Sequence, residues 1–387
     1  MKTKSIVQTA AALLLLTFNS TGFTQGSLTP PGAPEPTMKS LDQIEARTAI
    51  TNTSTLVTIT QPGSYYLTHN ITISAGDAID INANDVTLDL NGFTLFSNEA
   101  APTGTGILLG NNVTDVNIRN GHIRGGVTYS GGVYSGSGFA YGITYSGLGP
   151  TNILISGVSV MGCLVFGIDL WVNSTTVESC KVATVGSIGI NARHVYNSSG
   201  YQCGGNGIFA EVADNCEATS TGAFAFFAYN ANNCSGTCSG GGIGLEANTA
   251  MNCIGTCYGN GDGLDTFTAN NCYGYANSSG TGLAASQTAT GCYGSSVTGT
   301  GLSAVTANNC YGVSGYNGSP SPGHGLYASQ IATGSFGQSY GSGTGLWGYN
   351  IAIGCYGISV TGTGIRANIL NSCVGSSYLF NNKYNMP

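Results

Sequence analysis

The sequence predicts an all-β fold, a parallel β-helix (solenoid) closed at its N-terminus by a short capping helix. Three observations carry the solenoid. A Gly followed by Ile or Leu recurs at Gly106, Gly142, Gly167, Gly189, Gly207, Gly244, Gly263, Gly282, Gly301, Gly325, Gly345 and Gly364, and Ala225 fills the one gap. The steps are 36, 25 and 22 residues at first, then 18, 18, 19, 19, 19 and 19 from 189 to 301, then 24, 20 and 19. Within each repeat the residue after the Gly is Ile or Leu, the third is usually Ala, and the second follows no pattern. Strand alternation therefore turns positions +1 and +3 inward and +2 and +4 outward. The third observation is composition. Only 7% of the 387 residues are charged and Gly numbers 61, yet 41% apolar residues and 21 Tyr are enough to pack rather than stay disordered.

One turn of strands every 19 residues or so is the period of a solenoid. The Leu-x-x-Leu-x-Leu pattern of leucine-rich repeats is missing, and propeller blades are about twice as long. Stacked at about 4.8 Å per coil, the anchors make a rod of roughly 60 Å. The anchor glycines read as turn residues, in a backbone shape that a permissive residue takes easily.

In chain order, MKTKSIVQTAAALLLLTFNSTG places Lys2 and Lys4 before an apolar run from Ala10 to Leu16. That is the pattern of a secretory signal, assigned to residues 1–25 and too short to span a bilayer. Residues 26–38 are Pro-rich and read as an extended linker. Ser40 to Gln43 fits a capping box, so a helix over about 40–46 is expected to close a β-helix domain of residues 39–387. SYYLTHNITIS, AIDINANDVTLDLNGFTL and NVTDVNIRNGHIRG alternate apolar and polar residues as strands of longer early coils, and regular coils start near 189. No later stretch reaches membrane-spanning length without polar residues. A net charge of −7 with no basic run speaks against a nucleic-acid partner. Oligomeric state is left open.

AIDINANDVTLDLNGFTL followed by Gly-Ile repeats resembles the secreted bacterial parallel β-helix proteins of the pectin-lyase-like superfamily. PEPTMKSLDQIEARTAI is similar to the lead-in of many uncharacterised members, so the resemblance covers about 35 to 387. It implies a right-handed helix, in keeping with the handedness of parallel crossovers, and a secreted, extracellular or cell-surface location. Gly323-His324-Gly325 resembles the Gly-His-Gly of polygalacturonases, which belong to that superfamily. Their Asn-Thr-Asp and Asp-Asp motifs are absent here, and GIRAN at 364–368 lacks the Lys of their Arg-Ile-Lys triplet. Other coils read Gly-Thr-Gly at 299–301, 343–345 and 362–364, so His324 occupies a Thr slot of the scaffold.

Cysteine falls nine or ten residues after the anchor at Cys216, Cys234, Cys253, Cys272, Cys292, Cys310, Cys355 and Cys373, with Ser198 and Ser335 in two other coils. This is a column, expected as buried, mostly free thiols, since Cys packs as a small apolar residue. Cys234, Cys238, Cys253 and Cys257 form C-x3-C twice and are the one candidate metal set. Their offset equals the scaffold repeat, so two stacked columns explain them without further assumption. The residue after the Cys (Tyr273, Tyr293, Tyr311 and Tyr356, with Phe336 between) faces outward as an aromatic row, either a stacked ladder or a surface for sugar rings.

Candidate functional residues lie on the outward strip at +2 and +4. Asp169, Arg193, Glu211, Glu246 and Asp265 are the candidate catalytic groups; Trp171, Phe209, Tyr229, Phe267, Tyr327, Trp347 and Tyr349 are the candidate sugar-binding groups. Carboxylates there suit acid–base work, or Ca²⁺ binding for a lyase, and no other cofactor is indicated. Asp77, Asp80, Asp85 and Asp89 are expected on the outer face and turns of the first coils. No nucleophile elbow, Walker loop or HExxH occurs. Three readings follow: a non-catalytic module binding an extracellular or cell-wall polysaccharide, which leads; a lyase or hydrolase of an acidic polysaccharide; and a purely structural or adhesive surface protein. The missing catalytic motifs weigh against the enzyme.

Overall fold

Strand after strand pairs in parallel with the strand one coil away, in a stack of about 16 turns. The computed structural model describes residues 46–382, apart from 173, 223, 316–319 and 377. The expected signal sequence, linker and residues 40–45 of the expected cap lie outside them. The column of strands that follow the anchors runs from Val57–Ile59 to Tyr378–Asn382, and no helix occurs among the described residues.

The coil that starts at Gly263 shows how the sequence builds a turn. Leu264 (0% exposed) and Thr266 point inward, while Asp265 and Phe267 point out. Ala269 is buried again, so the chain bends at Phe267–Thr268, and in several coils the pairing register shifts at this corner. Asn271 then takes a left-handed φ of 51°, Cys272 enters the core and Tyr273 leaves it. The same left-handed place holds Asn197, Asn215, Asn233, Asn252 and Asn309, or Gly291, Gly334 and Gly354. These are the residue types that tolerate that backbone region. Leu264, Leu283 and Leu302 stack in register, each fully buried. Truncating one to Ala would cost about 2–5 kcal/mol.

The anchor glycines have a different cause from the one expected. None of them has positive φ. They are required because two stretches of backbone nearly touch. A Cβ on Gly263 would run into the backbone of Tyr275 and Gly282, and one on Gly274 would meet Gly282. The coil is pinched there, with glycine on both sides of the pinch.

Two further departures appear in the early coils. The 36-residue step after Gly106 carries an antiparallel hairpin, Thr128–Ser130 with Val133–Ser135. It turns through Gly131 and Gly132 at φ 59° and 87°, as tight hairpins require. The Tyr134 hydroxyl ties it down by donating to the Gln202 carbonyl at 2.9 Å. Asp89, expected outside, is 6% exposed and bridges Arg47 (3.4 Å) and Arg119 (3.2 Å). A carboxylate so placed needs cations beside it to offset the loss of water.

Candidate functional site

Because +2 and +4 leave every coil in the same direction, the structure gathers the expected residues on one face. At +2 the register runs Asp169, Asn191, Phe209, Phe227, Glu246, Asp265, Ala284, Ser303, Tyr327, Trp347 and Arg366. Three zones follow from that order.

The first zone is aromatic and charge-balanced. The edge of Trp171 meets Phe209 at 4.7 Å and 74°, and Phe209 stacks on Phe227 at 4.6 Å. Phe227 in turn meets Tyr229 at 5.7 Å. The Arg193 guanidinium lies 5.0 Å from the Trp171 ring centre, and its Nη1 donates to Glu211 at 2.7 Å. Its Nε is buried without a hydrogen-bond partner. Asn191 donates to Asp169 at 2.8 Å; burial raises the Asp169 pKa and this bond partly offsets the rise.

The second zone is acidic. Glu246 and Asp265 sit in register on neighbouring coils, with Asp262 just before Asp265. Burial raises all three carboxyl pKa values; Asp265 adds to the rise of Glu246, and Asp262 to that of Asp265. Phe267 stands beside them, 54% exposed. Ala284 and Ser303 follow as a low floor. Asp169 is four coils from Glu246, about 19 Å at 4.8 Å per coil, so the expected catalytic groups do not form one set.

The third zone is Trp347 and its surroundings. Tyr327 meets it at 5.1 Å, His324 at 4.9 Å and Tyr349 at 6.3 Å. Arg366 lies over the Trp347 ring at 4.4 Å. His324 Nδ1 accepts the Thr344 N–H at 3.1 Å, and burial, with Arg366 nearby, lowers its pKa. The ring is therefore neutral at neutral pH. Arg366 belongs to the same outward strip and His324 to the Gly-His-Gly turn; only the register of successive coils brings both beside Trp347.

The other candidates resolve into scaffold. All 13 cysteines are free, and all but Cys373 are buried. Cys234 and Cys253 belong to the main column, with Cys253 Sγ donating to Ala231 and Met251 carbonyls at 3.4 and 3.2 Å. Cys238 and Cys257 stack in a second column. Burial pushes Cys163 and Cys203 up to about 12, which keeps them protonated. Among the described residues no group of His, Cys, Asp or Glu is arranged to hold a metal. The outward aromatic row is a ladder: Tyr273, Tyr293, Tyr311 and Phe336 stack at 5.2, 5.0 and 4.6 Å with interplanar angles of 5°, 8° and 11°. Each ring covers its neighbour's face, so solvent meets mainly ring edges and hydroxyls.

No family model and no curated protein matches the chain. Among solved structures it is similar to the tailspike protein gp49 of Acinetobacter baumannii bacteriophage Fri1, a capsular polysaccharide depolymerase. Identity there is 12% and the TM-score 0.31, over 82% of this chain and 57% of that one. It is also similar to the Dettilon tailspike protein, at 12% identity and TM-score 0.31, over 87% of this chain and 61% of that one. The chain thus spans about three-fifths of each tailspike's length. Likenesses this partial carry no argument about its chemistry, which rests on its own side chains. Among the described residues no helix is long and apolar enough to cross a membrane.

Proposed function

We propose that the chain is a secreted solenoid, related to the pectin-lyase-like β-helices, that binds polysaccharide along the outward strip without cleaving it. Residues 1–25 would direct export, 26–38 would link, and a helix near 40–46 would cap a β-helix domain of residues 39–387. The observation that carries the binding reading is the order of the strip. Two clusters of aromatic rings with an arginine stand at its ends, and the side chains shrink to Ala284 and Ser303 between them. From Phe227 to Tyr327 is five coils, about 24 Å at 4.8 Å each, room for several sugar units. Trp171, Phe209, Tyr229 and Phe267 would contact one end of the glycan, and Tyr327, Trp347 and Tyr349 the other.

Chemistry weighs against turnover. Asp169 stands four coils from Glu246, so the candidate acids do not converge on one bond. Arg193, the cation nearest the acids, is held by Glu211. The test is retention on a glycan array, with Trp171→Ala and Trp347→Ala as controls. Binding weakened by both substitutions supports the reading. No retention, or retention indifferent to both, sinks it.

One observation favours a second reading. Glu246 and Asp265 lie in register on neighbouring coils, with backbones about 4.8 Å apart, and retaining glycosidases hold their two carboxyl groups roughly 5 Å apart. If the pair cleaves, reducing ends appear from a bound glycan and Glu246→Gln abolishes them. Silence in that assay, with binding intact, removes the hydrolase.

A further inference from the structure

The carboxylates of this chain stop early. From Thr266 to the C-terminus there is no Asp or Glu, and the cations of that stretch are Arg366 and Lys383. Arg47, Arg119 and Arg193 each have a carboxylate partner. Arg366 is exposed, and no side-chain carboxylate follows Asp265 in the sequence. Nor is the guanidinium swinging free in solvent. It lies on the face of Trp347 at 4.4 Å, an orientation favoured by the ring's negative face.

With the indole on one side, the guanidinium N–H groups have no hydrogen-bond or ion-pair partner among the described residues. Its N–H edge is a flat fork of donors, matched to two oxygens of one anion. We infer that Arg366, held on Trp347, is an anion-recognising subsite of the strip, taking the carboxylate or sulfate group of an acidic sugar. The inference rests on the glycan-binding reading above and adds the class of sugar. Tyr327 and Tyr349 flank the same indole at 5.1 and 6.3 Å, with aromatic surface for the sugar ring. His324 Nδ1 accepts from the Thr344 backbone, so its Nε2–H is left as a neutral donor for a hydroxyl. The acidic zone does not oppose such a ligand. Asp265 lies five coils from Arg366, about 24 Å, and charges that far apart are screened at physiological salt, where the Debye length is about 8 Å.

The test compares three probes on the full chain by calorimetry: a galacturonate trisaccharide, its methyl ester, and a sulfated neutral trisaccharide. Because the chain has two Trp, fluorescence of a Trp171→Phe variant follows Trp347 alone. At least one anionic probe is expected to bind about tenfold tighter than the methyl ester, to weaken with salt, and to quench Trp347. Which anionic probe wins identifies the carboxylate or the sulfate as the source. Arg366→Gln is expected to erase the advantage, and Arg366→Lys, which keeps the charge without the fork, to retain only part of it. Equal affinity for charged and ester probes, or an advantage that survives Arg366→Gln, overturns the subsite while leaving neutral glycan binding intact. Absence of binding to any of the three and to the neutral array overturns both.

Discussion

Both tryptophans of this chain carry an arginine on the ring, yet the two ends of the strip use the pair differently. At the N-terminal end Trp171, Arg193 and Glu211 occupy +4 of three successive coils, and Arg193 is discharged onto Glu211 at 2.7 Å. At the C-terminal end Trp347 and Arg366 occupy +2 of two successive coils, and the next residue in that register is Leu379. The device is the same stacked pair. One coil further along, the N-terminal end has a carboxylate that takes up the guanidinium edge, and the C-terminal end has no carboxylate in that register. In a solenoid the identity of one repeat position can therefore convert a structural contact into a recognition contact.

Exchanging that third residue should exchange the behaviour. Leu379→Glu supplies Arg366 with a counter-ion, and affinity for the preferred anionic trisaccharide is expected to fall about tenfold, close to the worth of one charge-assisted hydrogen bond. Glu211→Gln releases Arg193, and a second, weaker anion site is expected, read as a rise in calorimetric stoichiometry from one toward two. If Leu379→Glu binds like the parent, the missing carboxylate is not what distinguishes the two ends.

The rings sharpen the same contrast in stability. Trp347 touches three rings, His324, Tyr327 and Tyr349, whereas Trp171 touches Phe209. Aromatic pairs contribute about 0.5–1.5 kcal/mol each beyond their buried area. Trp347→Ala is therefore expected to cost about 1 kcal/mol more than Trp171→Ala in urea unfolding. Equal costs would mean the extra rings around Trp347 are held by the scaffold and not by the indole.

Much of this was legible in the sequence. Gly-Ile and Gly-Leu at steps near 19 gave the coils, and alternation placed Asp169, Arg193 and Trp347 on the outer face before any coordinates. The Cys and Tyr columns followed from the same register. What escaped was contact between backbones. The anchor glycines look like turn residues, because a sequence cannot show that Gly263 and Gly274 face backbone across a narrow coil. The Asn or Gly before Cys216, Cys234, Cys253, Cys272, Cys292, Cys310 and Cys355 was a readable sign of left-handed backbone, as was Gly131-Gly132 of a hairpin. Asp89 was misplaced because its partners Arg47 and Arg119 are 42 and 30 residues away. The pairing of Arg366 with Trp347 likewise needs the register of two coils, not the pattern of one.

The smallest effect separates the acidic zone from the C-terminal end by the sign of their response to pH. Glu246 and Asp265 have carboxyl pKa values raised above the usual 4.5 and 3.8. The folded chain holds those protons more tightly than the unfolded chain, so stability falls as pH rises from about 4 through the raised values, then levels. His324 works the other way. Its pKa is lowered below the usual 6.5, so the folded chain binds that proton less tightly, and stability is lost as pH falls from about 6.5 through the lowered value. All three groups are partly exposed, and solvent screening should hold each effect to a few tenths of a kcal/mol. Glu246→Gln should flatten the acid limb of a stability–pH profile and leave the limb near 6 unchanged; His324→Gln should do the reverse. If either substitution flattens both limbs, the acidic zone and the C-terminal end are coupled through the stack and cannot be treated as separate sites.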